Sequence, residues 1–269
     1  MEIKTIKDSF QIRDKISMIS DKGGPKGTRI IFYDKDGKPY KETTNTQVLA
    51  GSQLTAVRQF GLKELIKLPN YNVELGIEDD VSGDKTDTCC LWLAGTSGCG
   101  TKQDDIYPVT FGSRIPPESV VPFQYRKLED DLKDTDRDIY FGRKVNKEKN
   151  RVAYYYKAFN TNPQLKMQLA DGTQIGSDIY NLATSVRAQC YVEVQLKITA
   201  DDFRDWYLVN DTIGNCHINT LSLLTAHRVT RSDGFTYFEN VKPLTQTNFS
   251  NDWYNDLTKS SLILYQIFY

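Results

Sequence analysis

The segment 95–102 reads GTSGCGTK and follows an apolar run, where a phosphate-binding loop would stand. Such a loop needs glycine, four residues, glycine, lysine, then serine or threonine, and it must open a helix whose amides hold the phosphate. Here Thr101 and Lys102 are exchanged, so the lysine would miss the phosphates and the hydroxyl would miss the magnesium. Asp104, Asp105 and Pro108 also make a poor helix start. The segment reads as a flexible glycine-rich loop. Asp34, Asp36 and Gly37 match the opening of a calcium loop, but that loop needs glycine at position six and glutamate at twelve between helices. Here Gly37 falls at position four and Asn45 at position twelve, with strand-like flanks. A hairpin turn is the better reading.

The other reactive residue types lack partners at useful spacing. There are only two histidines, His217 and His227, read on one strand or its continuation. Without a Gly-x-Ser-x-Gly elbow, neither a nucleophilic triad nor a histidine metal site has its parts. The five cysteines, Cys89, Cys90, Cys99, Cys190 and Cys216, are odd in number and form no C-x-x-C knuckle. They read as buried free thiols of a reducing compartment. The acidic groups at 78–80, 129–131 and 201–202 could hydrolyse a glycoside only if a fold set two of them across a cleft; otherwise they cap helices or sit in loops. Tyr154, Tyr155 and Tyr156 between Arg151 and Lys157 could stack single-stranded nucleic acid, but overall neutrality argues against it and ordinary strand packing is the better reading. The expectation is therefore a protein that is not an enzyme and holds no metal and no cofactor.

Charge and composition narrow the partners. The formal net charge is −1, from 34 basic and 35 acidic side chains, so no basic excess marks a nucleic-acid footprint and no sequence-specific nucleic acid is expected. No apolar run approaches the ~20 residues of a membrane helix. The N-terminal stretch is charged throughout and lacks the apolar core of a signal peptide, which points to synthesis without secretion and to no membrane partner. Sixteen tyrosines and twelve phenylalanines against three methionines favour sheets and interfaces, since tyrosine joins apolar area to a polar tip.

The elements that must position these residues are mostly strands. Residues 1–27 read as an N-terminal arm in which Phe10, Ile12 and Ile16 fit either a helical stripe or alternation, closed by the breaker 23–27. A body over 28–269 follows. Residues 28–33 and 38–44 predict a hairpin about the turn 34–37. Ser52 caps a short expected helix carrying Leu54, Val57 and Phe60, closed by Gly61 and extended to Leu68. Residues 73–77 are expected as a strand, and 89–94 as a buried strand. Residues 126–151 alternate in charge with few apolar neighbours, which predicts a solvated helix or an excursion that divides or interrupts the body.

Residues 152–159 predict a tyrosine-rich strand. At 190–198 the alternation is clean: Cys190, Val192, Val194, Leu196 and Ile198 face one way, while Tyr191, Glu193, Gln195 and Lys197 face the other. Thr199 and Asp202 suit a capping box before a short helix with Phe203, Trp206 and Tyr207. Strands at 218–229 and 235–241 flank the turn 232–234, and 262–269 is strand-like, paired within the chain or against a neighbour. The fold class is mainly β, an antiparallel β-sandwich or barrel-like body with a few short helices.

That profile, with the segments 115–125 (IPPESVVPFQY), 140–144 (YFGRK), 153–159 (AYYYKAF) and 241–245 (VKPLT), resembles the virion structural proteins of large tailed bacteriophages. The resemblance implies a non-enzymatic component made in the host bacterial cytoplasm and built into the virion. It further implies a homo-oligomeric ring at the neck, as a head–tail connector or collar, or in the tail. A capsid-surface or baseplate component, and a β-sandwich module recognising host glycan, remain open. The implied partners are further copies of the chain and neighbouring virion proteins. Aromatic and apolar residues of the arm and the last strands would anchor such contacts: Phe10, Ile12, Ile16, Trp253, Tyr265 and Tyr269.

Overall fold

Apolar alternation and aspartate–glycine turns dictate antiparallel ladders, and a computed structural model shows how they pair. It describes residues 28–44, 46–47, 51, 71–77, 87–102, 105–110, 112–133, 137–169, 173–175, 188–210, 215–255 and 259–268. The strands are β1 (Thr28–Tyr33), β2 (Pro39–Thr44), β3 (Thr46–Gln47), β4 (Thr88–Gly95), β5 (Val120–Val121), β6 (Gln124–Lys127) and β7 (Tyr140–Asn146). They continue with β8 (Arg151–Ala158), β9 (Gln164–Leu169), β10 (Gln174–Ile175), β11 (Ala188–Thr199), β12 (His217–Thr230), β13 (Thr236–Trp253) and β14 (Ser260–Phe268). Two described α-helices accompany them, α1 (Tyr71–Glu74) and α2 (Ala200–Val209). The mainly β, antiparallel class is what the sequence predicts, in two open sheets and without a closed barrel.

The chain divides into two compact units, one of Met1–Thr46, Asn160–Lys197 and Ser261–Tyr269, the other of Gln47–Phe159 and Ile198–Ser260. The charged stretch 126–151 lies wholly inside the second unit, where it supplies β7 and the ends of β6 and β8. Among its described residues no solvated helix forms. Its described residues outside the strands are a single 3-10 turn at Leu128–Asp130 and connecting loops.

The first unit holds a sheet in the order β10-β9-β11-β14-β1-β2. Its β1–β2 hairpin closes as expected: Asp34 Oδ1 accepts the amides of Asp36 and Lys38 at 3.0 and 2.8 Å. Strand β14 is interior, between β11 and β1, so the C-terminal strand is paired within its own chain. Tyr265 stands opposite Ile30 and Ile263 opposite Phe32, and all four are fully buried. On β11, Val194, Leu196 and Ile198 are buried as the alternation predicts. Tyr191 and Glu193, expected to face solvent, are buried too. The Tyr191 hydroxyl donates to Gln174 Oε1 at 2.7 Å, and Glu193 accepts from Lys166 and from Gln266 Nε2. Alternation reports polarity, and a polar side chain satisfied by its neighbours can be covered as well as an apolar one.

The second unit's sheet runs β3-β13-β12-β4-β8-β6, with β5 beside β4 and β7 beside β8. One group of buried residues joins Leu91, Leu93, Leu224, Ala226 and Val241 to Tyr71 of α1 and to Leu75 just after it. Another set of rings descends from Trp92 through Phe123 and Phe203 to Tyr254, at centroid spacings of 4.6, 5.3 and 5.8 Å. Phe203 comes from α2, the helix predicted after Thr199. The 18-residue β13 carries Pro243 and the positive-φ Asn240 at register shifts against β12, where the ladder tolerates them.

The strand expected at 73–77 is instead the end of α1. Leu75 donates to Tyr71 O, Gly76 to Val73 O and Ile77 to Asn72 O. This is a Schellman end with Gly76 at φ +66°, a conformation that favours glycine. Tyr71 and Leu75, four apart, are buried while Val73 is 77% exposed, so the periodicity is helical. The helix expected from Ser52 lies outside the described residues.

The glycine-rich loop after β4 is packed rather than loose. Gly98 is buried and its amide donates to Asn219 Oδ1 at 2.6 Å. A Cβ added at Gly98 would lie 2.0 Å from the Asn219 carbonyl oxygen. Among the described residues no helix follows this loop; the chain returns through a bridge between Cys99 and Ile106. Gly98→Ala should therefore destabilise the protein by about 1–3 kcal/mol, the usual cost of overpacking a core. Urea melts of the two proteins would measure this, and equal midpoints would refute it.

Candidate functional site

A deeply buried ion pair lies in the second unit, between β8 and α2. Lys157 Nζ lies 2.8 Å from Asp202 Oδ1 and 2.7 Å from Oδ2, with side-chain exposures of 8% and 0%. Asp202 Oδ1 also accepts the Tyr140 hydroxyl at 2.8 Å. Its Oδ2 accepts the Thr199 amide at 2.7 Å and hydroxyl at 3.1 Å. One carboxylate thus neutralises the lysine and closes the capping box at the start of α2. The ammonium rests against the rings of Tyr140 and Phe123, 5.3 and 5.7 Å away. Burial, and then the Asp202 charge, push the Tyr140 hydroxyl well above its ordinary range, so it stays a proton donor. Every group is committed to another, which suits a clamp and not proton transfer to a substrate.

A groove with spare capacity opens on the same unit between β7 and the β12–β13 hairpin. Arg137, Arg143, Arg231, Phe235 and Tyr237 line it, with Tyr140, Tyr154 and Thr236, around a volume of about 280 Å³. Its anchor is Asp131. The Asp131 Oδ2 accepts Arg143 Nε and Nη2 at 2.9 and 2.7 Å and lies 3.5 Å from Arg137 Nη2. Oδ1 accepts the Tyr154 hydroxyl at 2.6 Å. Burial alone would raise the Asp131 pKa, but the Tyr154 hydroxyl and the Arg143 and Arg137 charges outweigh it and hold the carboxyl below its usual range. The Phe235 ring has the guanidiniums of Arg137 and Arg231 each 5.9 Å from its centroid. Phe238 meets Phe141 edge-on at 4.6 Å, which brings the hairpin up to β7.

The residues singled out by sequence take up different places. Trp253 is half-buried, its ring 4.8 Å from that of His217. Tyr265 is fully buried on β14, within the first unit's sheet. The strand that carries it is interior to that sheet. Phe10, Ile12, Ile16 and Tyr269 lie outside the described residues. His217 and His227 sit at opposite ends of β12. Cys99 and Cys216 are buried, and burial pushes the Cys90 and Cys216 thiols up to about 11. Among the described residues no group of His, Cys, Asp and Glu is placed to hold a metal ion, and no helix is long and apolar enough to cross a membrane.

Sequence reasoning missed both arrangements. Thr199 and Asp202 were legible as a cap, but Lys157 is 45 residues upstream of Asp202. Arg137 and Arg143 belonged to a charge-rich stretch with no local pattern to separate them from a solvated face, and nothing near them named Arg231. No family model, curated protein or solved structure matches the chain.

Removing one partner of a buried ion pair strands the other, which typically costs about 3–5 kcal/mol, whereas an apolar replacement of both is far milder. Lys157→Ala should therefore cost that much in chemical denaturation, and the double variant Lys157→Met, Asp202→Leu substantially less. A double variant no better than the single would contradict the clamp. For Asp131 the folded pKa is depressed, so its contribution is present above the unfolded value of about 3.9 and is lost as pH falls through the lower folded value. Wild type and Asp131→Asn should differ in melting temperature at pH 7 and converge in the acid range. A constant gap across that range would show that the ion cluster does not supply it.

Proposed function

We propose that the chain is a non-enzymatic, homo-oligomeric structural component of a phage virion, placed at the neck or in the tail. The supporting observation is the pair of open sheets. Strand β2 ends the first sheet and β7 flanks the second, each with a strand partner on one side only among the described residues. Tyr40 on β2 is 42% exposed. An edge strand with an exposed aromatic offers a neighbouring chain both main-chain hydrogen bonds and an anchoring ring.

Several buried titratable groups are engaged in internal structural pairs. Beyond Lys157–Asp202 and the Asp131 cluster, Lys259 Nζ lies 2.8 Å from Asp252, and Glu193 is held by Lys166. The resemblance of 115–125, 140–144, 153–159 and 241–245 to virion proteins of tailed phages points the same way, and virion incorporation with further copies and other virion proteins as partners follows from it.

Light scattering behind a sizing column, with electron microscopy of the large species, should find a defined multimer or a monomer that joins purified particles. A stable monomer that ignores particles would overturn the reading. Deleting residues 1–27 should weaken association while leaving the thermal midpoint nearly unchanged; equal loss of both would remove the arm from the interface.

A further inference from the structure

We propose that the groove between β7 and the β12–β13 hairpin is a binding site for an acidic saccharide. Three features of the lining carry this. First, the cations are guanidiniums, whose planar forks match a carboxylate, and the groove already displays that match internally. Arg143 grips Asp131 through Nε and Nη2, with the Tyr154 hydroxyl completing the coordination. That engagement leaves the Nη1 edge of Arg143 for a second carboxylate. Among the described residues the Arg231 guanidinium lies over Phe235 and pairs with Asp233, at 3.1 Å on an exposed turn where both side chains are more than half exposed, and a ligand carboxylate can displace so weak a pair.

Second, Phe235 and Tyr237 stand half-exposed beside these cations. A pyranose presents apolar C–H faces that pack on such rings, as an extended peptide does not need to. Third, Thr236 and Tyr237 add hydroxyls beside the apolar Phe141 and Phe238, while the Tyr140 and Tyr154 hydroxyls are held by Asp202 and Asp131. The volume of about 280 Å³ limits the bound part to a short saccharide segment. Charge supplies the selection against neutral sugars, and the rings supply the selection against acidic peptides. All the lining residues lie in the second unit, and ligand affinity and oligomer mass are separate readouts, so either reading can fail without the other.

The test is calorimetric titration of the full chain with trigalacturonate, with maltotriose as the neutral match and triglutamate as the acidic peptide match. Wild type should bind trigalacturonate saturably and the other two much more weakly. Arg231→Ala and Phe235→Ala should each weaken trigalacturonate binding by about tenfold or more, as expected of residues that anchor a ligand. Arg231 is on an exposed turn, so its variant should keep the wild-type melting temperature and provides the decisive comparison. Absent saturable binding, equal binding of maltotriose, equal or tighter binding of triglutamate, or unchanged affinity in Arg231→Ala would each overturn the proposal.

Discussion

An ammonium group taken out of water loses several kcal/mol of hydration, and a strand can carry one inward only if a carboxylate meets it with its remaining lone pairs satisfied. Lys157 and Asp202 meet that condition, and much of the second unit is arranged around it. Lys157 is on β8, the strand that β4, β6 and β7 all pair with. Asp202 is the third residue of α2 and caps it. The one contact therefore docks the helix on the sheet, positions Phe203 in the ring column beneath Trp92, and orients Tyr140 at the start of β7.

From Tyr140 the same strand leads into the arginine-lined groove, so the clamp and the groove share an element. Asp131 performs for the groove what Asp202 performs for the core: it gathers cations that would otherwise repel one another. The difference is exposure. Lys157 is enclosed and its charge is fully consumed, whereas Arg231 and part of Arg143 remain accessible to solvent. A buried pair stabilises; a partly exposed cluster retains unsatisfied donors that a ligand can use. That contrast separates the structural site from the binding site within one sheet.

Much of the local architecture was legible from residue order. The β1–β2 hairpin, the buried strand β4, the tyrosine-rich β8, the capped helix α2 and the β12–β13 hairpin all follow from short-range rules, because turn geometry and capping involve residues a few positions apart. The errors are equally physical. Residues 73–77 have apolar positions too few to separate a two-fold from a helical period, and the decisive contacts of Tyr71 with Ile115 and of Tyr156 with Asn72 come from far along the chain. The loop 95–102 showed its glycines but not the Asn219 carbonyl that makes Gly98 necessary.

Strand propensity, turn chemistry, near-neutral charge and the absence of a complete catalytic motif are properties of neighbouring residues and of totals, so sequence alone determined them. Which strand lies beside which, that β14 is interior and buries Tyr265, and that Lys157 finds Asp202 are decided by pairings between distant segments. The arginines of the groove show why: a guanidinium at 137, another at 143 and a third at 231 have no shared period or spacing. Only the antiparallel register of β7 on β8, and the approach of Phe238 to Phe141, brings them around one opening.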